Sequence, residues 1–177
     1  MKKLTALTLA ILLALSLVQG AAAATYVAGE YYTIDYPDTL TLDDTTYSDE
    51  HTEDSRWLFL LYDDDYLIDA TLNRVTDYEG ESLYNADQAE RDAYVADTLA
   101  AFADDNIELV REITTVSGFP FYIYSREGTD GVFYYAETIA NGTSVNFTAY
   151  YADAARPLDN DLLETLTEVL ITLRPTE

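Results

Sequence analysis

The sequence contains no cysteine and a single histidine, His51, among its 177 residues. Without cysteine there are no disulfides, thiolate nucleophiles or cysteine-based zinc sites. His51 lies in an acid-rich loop with Glu53 and Asp54, which makes it a weak metal-site candidate and a poor catalytic base. A Gly-x-Ser-x-Gly elbow and a glycine-rich phosphate loop are also missing. We therefore expect no enzyme, with a small carboxylate-dependent glycan hydrolase as the alternative because carboxylates abound.

Basic residues are scarce: nine lysines and arginines face 33 aspartates and glutamates, for a formal net charge of −24. Both lysines lie within the first three residues. Such a surface repels nucleic acid and anionic membranes, because phosphate binding depends on lysine and arginine. The charge pattern thus excludes a nucleic-acid partner. Three explanations of the acidity remain open, namely solubility, adaptation to high salt, and calcium capture by clustered carboxylates.

The chain has one long apolar run, residues 4–18, which follows Lys2 and Lys3 and leads to four alanines at 21–24. This layout is typical of a secretory signal peptide. The alternative, a membrane anchor, needs about 20 apolar residues to cross a bilayer. We predict a signal peptide over residues 1–24, cut after Ala24 or Ala22, and no membrane insertion afterwards. The mature protein is then secreted, either extracellular or periplasmic, and its partners are an unknown extracellular protein or glycan.

The remaining residues, 25–177, contain no linker and no repeat, so they are predicted to form one domain. A change of period at residue 84 marks a helix over 84–103, whose recurring alanines are expected to pack against the sheet. A second amphipathic helix follows Pro157 and ends before Pro175. Alternating or continuous apolar runs predict strands at 30–36, 39–42, 56–62, 66–75, 107–116, 119–126, 131–140 and 143–151.

The order of these elements predicts an α+β fold. Asn141-Gly142 is a strong hairpin signal, and the last four strands, which have no helix between them, are expected to form an antiparallel meander. Because each helix must bury one apolar stripe, we expect a twisted antiparallel sheet of about six to eight strands sandwiched between the two helices, an α-β-α arrangement.

Three sequence segments resemble the PsbP-like superfamily. They are Tyr32-x-Ile-x-Tyr-Pro, Glu90-Arg91-x-x-Tyr-Val and Gly118-Phe-Pro-Phe-Tyr-Ile-Tyr. The resemblance covers almost all of the mature chain through the order of its elements. It implies the same α-β-α sandwich and a non-enzymatic role. The leading hypothesis is a secreted, non-catalytic binding or accessory domain of unknown ligand.

Tyrosine is abundant, with 16 residues. Tyr122 and Tyr124 share one face of a predicted strand, and Tyr134 and Tyr150 lie on neighbouring strands. Tyrosine is enriched at binding surfaces, so these four side chains are candidates for an exposed platform that binds glycan or protein. The alternative is that the rings fill the space between sheet and helices, since strands select aromatic residues in any case.

One acidic cluster is a candidate calcium site. Asp63, Asp64 and Asp65 occupy a predicted turn, and Asp69 follows in the next strand. Calcium prefers carboxylate oxygens, although the spacing is not that of an EF-hand. The alternative is a solvated turn that keeps the hairpin from pairing with other chains. A calcium-responsive extracellular domain is accordingly a third functional hypothesis, and calcium is the one cofactor considered.

Overall fold

The computed structural model describes residues 23–45, 52, 54–78, 80–129 and 131–176. The bulk of the predicted signal peptide, residues 1–22, lies outside this part, as do His51 and Glu53. The described residues form two antiparallel sheets and two α-helices, which confirms the α+β class.

A small sheet of three strands has its central strand near the N-terminal end of the described residues. Its order is β1 (Ala23–Ala28), β2 (Tyr32–Pro37) and β10 (Arg174–Pro175). This sheet was not predicted. Ala23 and Ala24 were assigned to the signal peptide, whereas here they pair with Pro37 and Tyr36 of β2. The last strand is only two residues long and ends in proline, which is too short for a periodic signal.

The large sheet has seven strands in the order β3-β4-β5-β9-β8-β7-β6. The predicted hairpin over 56–75 and the predicted four-stranded meander are both confirmed. The strands are β3 (Thr41–Asp43), β4 (Ser55–Tyr62), β5 (Tyr66–Arg74), β6 (Asn106–Thr114), β7 (Pro120–Gly128), β8 (Gly131–Ala140) and β9 (Thr143–Tyr151).

The turn between β8 and β9 shows why the hairpin signal works. Asn141 and Gly142 have φ angles of 52° and 74°. Two successive residues with positive φ match the right-handed twist of the flanking strands, and asparagine and glycine adopt that conformation most easily. The register that follows brings Ala140 opposite Thr143 and continues to Tyr134 opposite Ala149.

Helix α1 (Gln88–Ala101) begins at a capping box, in which Asp87 accepts from the Glu90 N–H and Glu90 accepts from the Asp87 N–H. The prediction that its alanine stripe packs on the sheet is wrong. The alanines at 89, 93, 96 and 100 are exposed, and the helix buries Tyr94 and Thr98 instead. Burying one tyrosine removes more apolar area from water than several alanines, so the larger side chain decides the packed face.

Helix α2 (Asn160–Ile171) follows the prediction. Asp159 caps its first turn, accepting from the N–H groups of Asp161 and Leu162. The helix buries its apolar stripe in the core cluster, which we define as the large buried group that also contains side chains of β2, β4, β5, β7, β8 and β9. The helical members are Leu162, Leu163, Leu166, Val169 and Leu170.

The two helices contribute to different clusters. Along β7, Phe121 and Ile123 belong to the core cluster, while Tyr122 and Tyr124 belong to a second group. This second group, here called the tyrosine cluster, consists of Leu83, Tyr94, Tyr122, Tyr124 and Ile139 and receives Tyr94 from α1. Alternate strand residues point to opposite faces of a sheet, so the clusters meet opposite faces of β7.

Candidate functional site

The structure does not provide the exposed tyrosine platform. Tyr122, Tyr124 and Tyr134 are 2, 0 and 7 % exposed, and Tyr150 is half-buried. Tyr134 lies on the face opposite to Tyr122 and Tyr124, where its hydroxyl donates to the Asp159 carbonyl oxygen at 3.1 Å. The alternative applies to these three residues, because each ring is consumed in packing between sheet and helix and none is left as a contact surface.

The predicted calcium ligands are not gathered together. Asp63 uses one carboxylate oxygen to accept from the N–H groups of Asp65 and Tyr66, at 2.8 and 3.0 Å, which closes the β4–β5 turn. Asp69 lies within β5, where burial raises its pKa to about 7 against the lowering effect of a hydrogen bond with Thr148. Within the described ranges, no group of three or more histidine or acidic side chains is placed to hold a metal ion.

A cavity of about 320 Å³ lies where the small sheet meets the large one, and we call it the sheet-junction cavity. Its walls are largely apolar, and they come from the β1–β2 turn, β2, β5, β8, β9 and the C-terminal segment. The lining residues are Glu30, Tyr31, Tyr32, Leu72, Phe119, Thr138, Ala140, Asn141, Thr143, Val145, Leu173 and Pro175.

Two hydroxyl groups give this cavity its chemical character. Tyr32 is 3 % exposed and Thr138 is 1 % exposed, and neither hydroxyl has a hydrogen-bond partner in the described part of the chain. A buried polar group without a partner costs about 1–3 kcal/mol, so native structures rarely leave one unexplained. Burial holds the pKa of the Tyr32 phenol well above its usual 10, so the phenol stays neutral and able to donate.

Neighbouring elements hold the two hydroxyls in place. The Tyr32 ring makes an edge contact with Phe59 and a tilted contact with Phe147, at centroid distances of 6.5 and 6.0 Å. Thr138 sits in the middle of β8 opposite Val145 of β9. Both residues belong to regular strands, so the groups are positioned by backbone ladders and ring packing and move little.

A second, more polar cavity of about 310 Å³ adjoins the first and shares Tyr31, Leu72, Asn141 and Thr143 with it. Arg56 and Arg74 line this second cavity. The Arg56 guanidinium lies 5.6 Å from the centre of the Tyr31 ring and donates to its hydroxyl. Tyr31 therefore separates an apolar space from one that contains cationic side chains.

A groove beneath α1 holds a buried acid. Glu137 is 6 % exposed, and its two carboxylate oxygens accept from Thr98 Oγ1 at 2.8 Å and from the Tyr135 hydroxyl at 2.9 Å. Desolvation first, and then the charge of Glu137, raise the pKa values of Tyr94 and Tyr135 far above the usual 10. Because neighbouring hydroxyls already satisfy this carboxylate, the arrangement ties α1 to the sheet.

The largest cavity, about 480 Å³, lies between the 3₁₀ turn Thr76–Tyr78, the segment 80–86 and the first turns of α1. Among its lining side chains, Glu90 is already engaged in the capping box, and the Tyr78 and Tyr94 rings pack edge to face at 5.6 Å. Its polar groups therefore have structural tasks, in contrast to the hydroxyls of the sheet-junction cavity.

Sequence reasoning missed Tyr32 and Thr138 as site residues. Tyr32 was predicted only as the start of a strand, and Thr138 only as part of a strand over 131–140. The one available signal was a hydroxyl residue within an otherwise apolar stretch, Thr138 between Ala136 and Ile139. Comparison with known proteins adds no further signal, because no family model and no curated protein sequence matches this chain. Within the described residues, no helix is long and apolar enough to span a membrane.

Proposed function

We propose that this chain is an exported, non-catalytic binding domain that holds a small, largely apolar ligand in the sheet-junction cavity. One observation supports the proposal above the others: an apolar cavity of about 320 Å³ is lined by two buried hydroxyls that lack partners. A ligand oxygen in the cavity would satisfy both hydroxyls and recover the free energy that their burial costs. The predicted partners, an extracellular protein or glycan, stay predictions.

We extend the proposal to the fold. A PsbP-like α-β-α sandwich is supported by the alternation along β7, which assigns α2 to the core cluster and Tyr94 of α1 to the tyrosine cluster. Two of the resembling segments fall on elements that matter for the cavity, since Tyr32-x-Ile-x-Tyr-Pro is β2 and the segment after Gly118 contains the lining residue Phe119. A solution measurement of distances from α1 and α2 to β7 tests this arrangement.

Export is likewise proposed, on the signal-peptide pattern of residues 1–24. Ala23 and Ala24 take part in β1, so cleavage after Ala22 leaves β1 whole, whereas cleavage after Ala24 removes two paired residues. We expect the mass of the mature protein to correspond to an N-terminus at Ala23. An intact Met1 on the native protein would contradict export.

The binding function can be tested by ligand-observed NMR with small apolar fragments such as cyclohexanone and benzyl alcohol. Binding should transfer saturation to the fragments and raise the melting temperature, because a ligand that binds only the native state adds stability. Ala140→Phe should abolish both effects by filling the cavity that Ala140 lines. Ala100→Phe is the matched control, since Ala100 is exposed on α1. Fragments that bind neither protein, or bind the Ala140→Phe variant unchanged, would contradict the proposed function.

A second candidate is the carboxylate-dependent glycan hydrolase, and one observation favours it. Burial raises the pKa of Asp69 to about 7, the range that suits a general acid at neutral pH. Asp69 lies opposite Thr148, Thr148 lies opposite Tyr135, and Glu137 is two residues further along the same strand, so both acids share one sheet face. Reducing ends released from cell-wall or plant polysaccharides, and lost in Asp69→Asn, would favour hydrolysis over binding.

A further inference from the structure

We propose that the sheet-junction cavity selects a neutral ligand, with an apolar body of about ten non-hydrogen atoms and one carbonyl or hydroxyl oxygen that meets Tyr32 and Thr138. This inference rests on the proposed binding function and specifies the ligand's chemistry. At the roughly 30 Å³ that a water molecule takes in the liquid, a volume of about 320 Å³ accommodates a body of that size.

The two hydroxyls specify the oxygen. A phenol and an aliphatic hydroxyl each carry one O–H donor, and a carbonyl oxygen has two lone pairs that can accept from both. Tyr32 and Thr138 both line the cavity and both lack partners among the described residues. A purely hydrocarbon ligand would leave both groups unpaired in a dry environment, so the cavity discriminates against it by the cost of two unmade hydrogen bonds.

The walls specify the absence of charge. Leu72, Val145 and Leu173 are buried apolar residues of the lining. Transfer of a carboxylate or an ammonium group into such surroundings is costly without a buried partner of opposite charge. The charged lining residue is Glu30, which is exposed and repels an anion, as does the formal net charge of −24. The arginines nearest to this space, Arg56 and Arg74, line the adjoining cavity.

The experiment compares three molecules that share an eight-carbon chain: octan-2-one, 1-octanol and sodium octanoate. Calorimetric titration of the purified protein at neutral pH should give the tightest binding for octan-2-one, with 1-octanol close behind. Octanoate should bind at least about tenfold more weakly than octan-2-one, because desolvating a carboxylate in an unpaired site outweighs its chain contacts.

Variants that remove only the hydroxyls test the contacts. Tyr32→Phe and Thr138→Val each keep the shape of the side chain, and each should weaken octan-2-one binding about three- to tenfold, which is the worth of one neutral hydrogen bond. Tyr36→Phe is the matched control, since Tyr36 is buried on the same strand and is not part of the lining. Without ligand, neither lining variant should lower the melting temperature, because the removed hydroxyls have no partner to lose.

The outcomes separate the inference from the function beneath it. If none of the three molecules binds and Ala140→Phe changes nothing, the binding function itself fails. If octanoate binds as tightly as octan-2-one and Arg56→Gln weakens octanoate alone, the cavity binds ligands but the neutral class is wrong. Equal binding of octan-2-one to the wild type and to both hydroxyl variants overturns the proposed contacts.

Discussion

The two faces of the large sheet are packed by different chemistry. The core cluster beneath α2 is made of leucine, isoleucine, valine, phenylalanine and alanine, with a few tyrosines at its margins. The tyrosine cluster beneath α1 is smaller, and it borders the buried polar residues Thr98, Glu137 and Asn146. The strands are the same on both sides, so the contrast comes from alternation alone. It teaches that apolar burial stabilises one face while hydrogen bonds organise the other.

The contrast also explains the position of the candidate site. On the α1 face, hydroxyls and Glu137 satisfy one another. On the opposite face, Tyr32 and Thr138 lie among apolar neighbours, and no described group pairs with their hydroxyls. A polar group needs an external partner where its surroundings offer none, so the apolar face is where a ligand has the most to contribute.

The largest expected effect is a loss of core packing. Leu166→Ala in α2 should lower the free energy of unfolding by about 2–5 kcal/mol, because Leu166 is fully buried in the core cluster. Leu99→Ala in α1 should cost about 1 kcal/mol, since Leu99 is only half-buried beside the tyrosine cluster. Urea titrations of both variants measure the difference. Equal losses would remove the distinction between the faces.

The second effect depends on pH. The folded-state pKa of Asp69 is raised from 3.8 to about 7, so the native state holds a proton that the unfolded chain has released. Its stabilising contribution is therefore complete below pH 3.8 and is lost as the pH rises to about 7. At roughly 1.4 kcal/mol for each pKa unit, this amounts to at most about 4 kcal/mol.

Asp69→Asn should accordingly flatten the dependence of stability on pH between about 4 and 7 and leave the protein more stable at neutral pH. Asp64→Asn is the control, because Asp64 is exposed in the turn of the same hairpin. Unfolding free energies measured across this pH range decide the matter. A slope that Asp69→Asn does not change would show that Asp69 ionises normally in the folded protein.

A third, intermediate effect concerns the hydrogen bonds beneath α1. Glu137→Gln keeps the size of the side chain but replaces one acceptor oxygen with a donor, so either Thr98 or Tyr135 loses its acceptor. We expect a loss of about 1–3 kcal/mol, the cost of one unsatisfied buried group. Glu127→Gln, at an exposed position on β7, should have almost no effect. Thermal unfolding of the pair would contradict the hydrogen-bonded role if both melt alike.

The smallest effect concerns the tie between the two ends of the described chain. The Arg174 guanidinium donates to both carboxylate oxygens of Asp35, at 2.9 and 3.0 Å, and these bonds hold the Asp35 pKa below its usual value. A lowered carboxyl pKa stabilises the fold above the unfolded value and is lost on acidification. Arg174→Gln should move the Asp35 pKa back towards 3.8, as read by carboxyl-carbon NMR titration. An unmoved titration would mean that Thr25, the other donor, sets it.

Most of the large sheet could be predicted from the sequence because its signals are local. The alternation over 66–75, the Asn141-Gly142 turn and the leucine stripe of α2 each lie within about one element length, where period and turn chemistry determine the outcome. The face of α1 could not be predicted in the same way. Its alanines recur with helical spacing, but spacing does not decide which of two faces meets the sheet.

The candidate site was out of reach for a similar reason. Tyr32 and Thr138 are 106 residues apart in a chain with no cysteine and one histidine, so no motif connects them. The residues that could be nominated, Asp63, Asp64 and Asp65 or the tyrosines of the meander, were chosen by type and proximity in sequence. The structure uses the first group to close a turn and most of the second as packing.

By itself, the sequence determined the acidic surface, the α+β class, the meander and the exclusion of thiol and nucleic-acid chemistry, because composition and periodicity depend on neighbours along the chain. Only the tertiary structure decided that β1 and β10 flank β2, that tyrosine replaces alanine as the packed face of α1, and that two hydroxyls share one cavity. These outcomes depend on contacts between residues far apart in sequence, where competing burials are settled by the whole fold.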